Sequence, residues 1–189
     1  MNDIKVLIEK IIRGDTRAFQ TIMNDYQRLV FHIVTRMVDR VEDREDICQD
    51  VFIKVFENLS KFQFNAKLST WIAQIAYNHC LNYLEKKRIP LFNDLDIDGD
   101  FEMQPGDMIS PEEYTEQQDM TARLQQAISA MPIQFRTIIT LYHLQHMTYQ
   151  EIVEITHLPE GTVKNYLFRA RKWLKDRLIS TYAQEDIWN

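Results

Sequence analysis

Three groups of side chains in this sequence have types and spacings that could do chemistry. The first is cationic: Lys164, Arg169, Arg171, Lys172, Lys175 and Arg177 crowd about four helical turns. Cations at that density fix register on phosphates, and smaller polar groups among them reach base edges. The same residues also suit an amphipathic hairpin with a solvated basic face. The second group mixes rings with amides, Trp71, Gln74, Tyr77, Asn78 and Asn82, and ends in Lys86-Lys87-Arg88. Single-stranded nucleic acid needs this mixture, because bases stack on rings, amides read edges and cations hold the strand. Most of these rings would serve equally well as core. The third group is acidic: Asp43, Asp46, Asp50 and Glu57 share one helix face at offsets of three, seven and fourteen. On an open helix with no histidine at ligand spacing, they are not set for acid–base or metal work. They form either a solvated face or a docking face for a basic partner.

Other candidates fall away on spacing. His143 and His146 are three apart but lack a cysteine or a second ligand pair, so they read as surface or cap histidines. Asp94, Asp96, Asp98 and Gly99 match the first half of a calcium loop. The twelfth position, which needs a bidentate glutamate, is Pro105. Cys48 and Cys80 lie in helical patterns without partner spacing, as expected of buried thiols in a reducing cytosol. No nucleophile–base pair, metal cluster or phosphate loop marks an enzyme, and no metal or cofactor is expected.

The elements that must position these groups are helices. Thr148 and Glu151 form a capping box opening a short helix with Ile152, Ile155 and Leu158 on its inner face. His157-Leu158 separates it from a second helix, in which Pro159 suits the first position. Val163, Leu167, Ala170, Leu174 and Leu178 then give one apolar stripe, with the cations around the rest. A short helix, a turn and a cationic helix make a helix-turn-helix, whose second helix can enter a major groove. Leu124, Ile128 and Met131 share a face upstream, and Pro132 restarts a helix carrying Phe135, Ile138, Ile139 and Tyr142. The ring-and-amide group falls on a long helix over 67–88, with Ile72, Ile75, Ala76 and Leu84 inward, after a polar-aromatic loop at 60–66. The acidic group falls on a helix over 42–59 that buries Ile47, Cys48, Val51, Phe52, Val55 and Leu59. Ahead of it lie a helix over 3–13 closed by Gly14, and one or two helices over 16–38 capped by Asp15.

Composition agrees. Of 189 residues, 45% are hydrophobic, with only four glycines and five prolines, which favours an all-α chain over turn-rich sheets. No window approaches eighteen consecutive apolar residues, so no membrane span is expected, and the charged N-terminus lacks the features of a signal peptide. The net charge of −6 is unevenly spread. Residues 1–89 hold 14 Lys/Arg against 12 Asp/Glu, and residues 121–189 hold 8 against 6. Between them residues 90–120 hold 10 Asp/Glu and no cation. The acidity therefore sits in one segment, which reads as a flexible linker between two mildly basic helical domains, 1–89 and 121–180, with a tail at 181–189.

These residues resemble a family, the bacterial sigma-70 factors, and within it the small two-domain extracytoplasmic-function (ECF) sigma factors. DREDICQDVFIKVF (43–56) is similar to the segment that binds the core RNA polymerase clamp. Residues 62–88 resemble the region that melts and reads the minus-ten element, and 130–178 the domain that reads the minus-thirty-five element. The resemblance implies a region 2 bundle and a region 4 helix-turn-helix. It implies core-polymerase contacts at Asp43, Asp46, Gln49 and Asp50. Gln63, Phe64, Asn65, Ala66 and Lys67 match the loop that receives a flipped base, and Trp71, Gln74 and Asn78 lie on the adjoining strand-contacting helix, which ends in Lys86, Lys87 and Arg88. Thr162, Lys164, Asn165, Tyr166, Arg169 and Arg171 match the recognition helix. Phe64 departs from the family, where a small residue is common, and the linker is longer and more acidic than in a minimal member. The implied protein is a cytoplasmic initiation subunit without an active site, whose partners are core RNA polymerase, promoter DNA and an anti-sigma factor. A stand-alone helix-turn-helix regulator and a sigma-like decoy that sequesters an anti-sigma factor are the rivals. The acidic face argues against the first, and the cationic recognition helix against the second.

Overall fold

The computed structural model describes residues 2–89 and 116–185. The calcium-loop-like run, most of the expected linker and Trp188 lie outside them. Among the described residues every regular element is helical: α1 (Asn2–Ile12), α2 (Thr16–Met37), α3 (Val41–Asn58), a 3-10 turn at Leu59–Lys61, α4 (Leu68–Lys86), α5 (Glu116–Ser129), α6 (Ile133–His143), α7 (Tyr149–Thr156) and α8 (Glu160–Glu185).

Local chemistry sets the boundaries. Gly14 takes φ +99°, a left-handed geometry that a side chain would strain, and this ends α1. Asp15 then accepts a hydrogen bond from the Ala18 amide at 3.1 Å and starts α2. That helix runs unbroken for 22 residues, so the one-or-two-helix expectation resolves to one. Helix α5 begins at Glu116, so the domain boundary expected at 121 falls inside it. Pro159 stands just before α8, and its carbonyl accepts from the Val163 amide at 3.0 Å, one position earlier than expected.

Helices α1 to α4 form the N-terminal bundle, centred on Val30, Ile33, Val34 and Met37 of α2, Val51 and Val55 of α3, and Ile72, Ala76 and Cys80 of α4. Helices α5 to α8 form the C-terminal unit around Leu141, Ile152, Ile155, Val163 and Leu167. Each large aliphatic removed from water in these cores contributes about 1.5–3 kcal/mol. Burial pushes the Cys80 thiol up to about 12 and that of half-buried Cys48 up to about 11, so both stay protonated and unreactive. Tyr77, expected among the polar contacts of α4, is instead buried, and desolvation raises its hydroxyl to about 12.

The two units are packed together, α2 against α6 and α4 against α7, and their apolar residues merge into one core. Arg136 of α6 crosses this seam almost wholly buried. Its guanidinium donates to the Ser129 carbonyl at 2.8 Å in its own unit and to the Asp39 carboxylate at 2.6 Å in the other.

Candidate nucleic-acid and polymerase interfaces

On α3, Asp46, Gln49 and Asp50 point to solvent, and Ile53 joins them one turn on, 53% exposed. The face is therefore acidic with an apolar centre, which sequence reading missed. Counting Ile53 from Asp46 and Asp50 (seven and three residues) would have found it. Asp43 is different. It accepts from the Tyr83 hydroxyl of α4 and pairs with Arg40 at 3.7 Å, and the tyrosine bond first, helped by Arg40 and Lys87, holds its carboxyl below the usual range. It is thus turned inward to brace α3 on α4. Asp50 lies 3.5 Å from the His79 ring of α4 and remains exposed.

The loop before α4 is built on rings. Phe62 is buried, with its ring centroid 4.7 Å from Phe64 and 5.2 Å from Trp71. Phe64 sits at φ +60°, a conformation unusual for a residue with a side chain, and its ring stays 43% exposed. Gln63 and Asn65 are exposed beside it and hydrogen-bond each other at 3.2 Å. Ala66 is half-buried, and Lys67 is exposed at the N-cap of α4. Trp71, Gln74 and Asn78 follow at helical spacing, each half-buried, and Lys86, Lys87 and Arg88 close the helix in the open. The geometry offers rings, amides and cations in succession from the loop along α4.

Helix α7 opens with the expected capping box. The Thr148 hydroxyl accepts from the Glu151 amide at 3.2 Å, and the Glu151 carboxylate accepts from the Thr148 amide at 2.8 Å. The turn to α8 is made by His157 in left-handed geometry at φ +59°. On α8, Lys164 and Asn165 are exposed and Thr162 is half-buried. Lys164 pairs with Glu160 at 2.6 Å and lies over the Tyr149 ring, while Arg169 and Arg171 lie over Phe135 and Tyr142. These aromatic seats pre-order long cationic side chains that would otherwise lose rotamer freedom on binding. Tyr166 corrects an expectation: it is buried edge-on against Phe135, so it supports the helix from within rather than facing a groove. Phe168, 68% exposed four residues after Lys164, takes the outward position instead. Its ring suits apolar contact such as a thymine methyl.

Among the described residues no three His, Cys, Asp or Glu side chains are grouped to hold a metal ion, and no helix is long and apolar enough to cross a membrane.

The sigma-70 region 2 family profile matches residues 22–89, and the sigma-70 region 4 profile residues 121–174. The ECF RNA polymerase sigma factor SigW of Bacillus subtilis is 31% identical over 180 residues, covering 93% of this chain and 96% of SigW. The RNA polymerase sigma-H factor of Pseudomonas aeruginosa is 31% identical over 186 residues, covering 95% of each. The solved sigma factor RpoE of Bartonella quintana, in complex with the anti-sigma factor NepR, aligns over 86% of this chain and 98% of its own with a TM-score of 0.64. At 19% identity that likeness concerns the fold alone. The chain belongs to the ECF branch of the sigma-70 family. It is a sigma factor that binds core RNA polymerase and directs promoter-specific initiation, and the two profile matches fall on its two helical units.

Proposed function

We propose the following division of work among its residues. Asp46, Gln49 and Asp50, with Ile53 at their centre, dock on core polymerase. Gln63, Phe64, Asn65, Ala66 and Lys67 receive a base flipped from the opened promoter. Trp71, Gln74 and Asn78 contact the strand, and Lys86, Lys87 and Arg88 hold its phosphates. Flipping costs a few kcal/mol of unstacking, which the exposed Phe64 ring and the neighbouring Trp71 offset by stacking. Thr162, Lys164, Asn165, Arg169 and Arg171 enter the major groove, with Phe168 among them. RNA synthesis itself belongs to the polymerase, which also sets the place of work as the cytoplasm. The partnership named for the solved RpoE further suggests an anti-sigma factor that covers these surfaces.

The observation that carries this reading is the exposed acidic face of α3, which a DNA-only regulator would not need. The test is reconstitution with core polymerase on a promoter library, reading specific start sites. Asp50→Lys should abolish core binding and initiation while leaving the weak DNA affinity of the free chain. Normal core binding by that variant would remove α3 as the docking face.

A further inference from the structure

Where α2, α3 and α6 meet, three arginines crowd one carboxylate. Arg36 lies in the last turn of α2, and Arg44 and Arg136 lie in the opening turns of α3 and α6. Arg44 donates to the Val38 carbonyl at 2.8 Å and the Asp39 carbonyl at 3.2 Å. Arg136 donates to the Ser129 carbonyl and the Asp39 carboxylate, and Arg36 to the Gln125 side-chain oxygen. Among these partners Asp39 alone brings a negative charge, and the others are neutral oxygens. Three cations against one carboxylate leave two positive charges uncompensated.

Donors are left over as well. The Nε groups of Arg36 and Arg136 are buried and have no hydrogen-bond partner among the described residues, and Arg136 as a whole is only 5% exposed. A lysine in such a place could shed its charge, but a guanidinium stays protonated far above neutral pH. Burial first, then the charges of Arg136 and Arg44, lower the value of Arg36, as crowded like charges do.

Two helices also begin here without a capping side chain. The N-cap positions of α3 and α6 are Arg40 and Pro132, and neither side chain accepts from the first turn. The open amides and the helix dipoles favour negative charge. Elsewhere on the seam the charges are matched: a cleft of about 410 Å³ between α2 and α7 is lined by Asp25 and Glu151 together with Arg28 and Lys67. The arginine cluster has no such balance. The exposed side chains of Asp39 and Gln125 mark its opening to solvent.

We propose that Arg36, Arg44 and Arg136 form an anion site that takes a tetrahedral phosphate, free or as the phosphomonoester of a small metabolite. Guanidinium forks pair with phosphate oxygens two at a time, and the unused donors stand on two different helices, so one phosphate bridges α2 and α6. Asp39 opposes the site, because its carboxylate holds Arg136 and repels the incoming anion.

The test titrates the full-length chain with inorganic phosphate, and separately with adenosine 5′-monophosphate, by calorimetry and thermal melting at constant ionic strength against chloride. The wild type should bind phosphate saturably, and its melting temperature should rise by a few degrees. Arg36→Gln, which removes the charge, should weaken binding about tenfold, and Arg36→Lys should recover part of the loss. Asp39→Asn should act with the opposite sign. It loses a tie to Arg136 and melts lower in chloride, yet it should bind phosphate severalfold more tightly. Tighter binding of the nucleotide than of phosphate supports the site with a phosphomonoester as its ligand, and the reverse order supports it with inorganic phosphate. A melting shift that never saturates, or that is as large in Arg36→Gln, is general salt stabilisation and would overturn the site. Equal or weaker phosphate binding by Asp39→Asn would overturn it too, and that variant decides alone should Arg36→Gln not fold.

Discussion

Glu151 illustrates how much one side chain is asked to do. One carboxylate oxygen accepts from the Thr148 amide and hydroxyl, and the other accepts from Lys67 and Thr70. Burial pushes its pKa upward, but the Thr148 amide, Lys67 and the Thr148 hydroxyl outweigh it, and the carboxyl ends below its ordinary value. The cap has its own consequence. Thr148→Ala should destabilise the C-terminal unit by about 1 kcal/mol, read as a fall of several degrees in its melting temperature. An unchanged transition would mean that the short α7 is held by its buried Ile152 and Ile155 alone. The capping box was legible in the sequence because its two members are three residues apart. The partnership with Lys67 was not, since nothing in local spacing relates residues so distant. Tyr166 was misjudged for a similar reason: helical position alone cannot tell a ring facing a groove from one facing Phe135.

At the scale of the element, α8 carries two jobs on different sides. Val163, Leu167 and Ala170 bind it to α6 and α7, and the exposed side presents Lys164, Asn165 and Phe168. Lys164→Ala should weaken promoter binding about equally across sequences and reduce the salt dependence of log K by about one unit, as expected of a phosphate contact. A loss confined to some sequences would instead make Lys164 a base reader. The helices themselves were largely legible, because three-to-four spacing of apolar residues marks α2, α3, α4 and α8. The start of α5 was not, because Glu116, Gln117, Gln118 and Asp119 show no apolar stripe. Their acidity suits a helix N-terminus as well as it suits a linker.

For the whole molecule, the all-α class and the two helical units followed from composition and charge distribution, but the seam between them did not. It depends on pairs such as Arg136 with Asp39, which are visible only after folding. Its chemistry predicts a pH response. Burial, then Arg28 and Arg36, hold His32 below its ordinary 6.5, and across the seam it meets Gln145, with Asp25, Lys67, His146 and Glu151 around the cleft. A base with a lowered folded value favours the closed state above about 6.5 and loses that contribution as pH falls from there toward the folded value. The free chain should therefore be more compact and more stable at pH 7.5 than at pH 5.5, measured by scattering and thermal melting. His32→Asn should flatten that dependence. A wild-type profile flat between those values would show that protonation of His32 costs the seam nothing.

The double engagement of Glu151 has a genetic side. Most substitutions there would damage the cap along with the tie to Lys67, so a loosened seam would come with a weakened fold. Glutamine is the exception, and the codons for glutamate and glutamine differ by a single base. That one-base change would remove the charge facing Lys67 while keeping the cap, and most other substitutions would lose both.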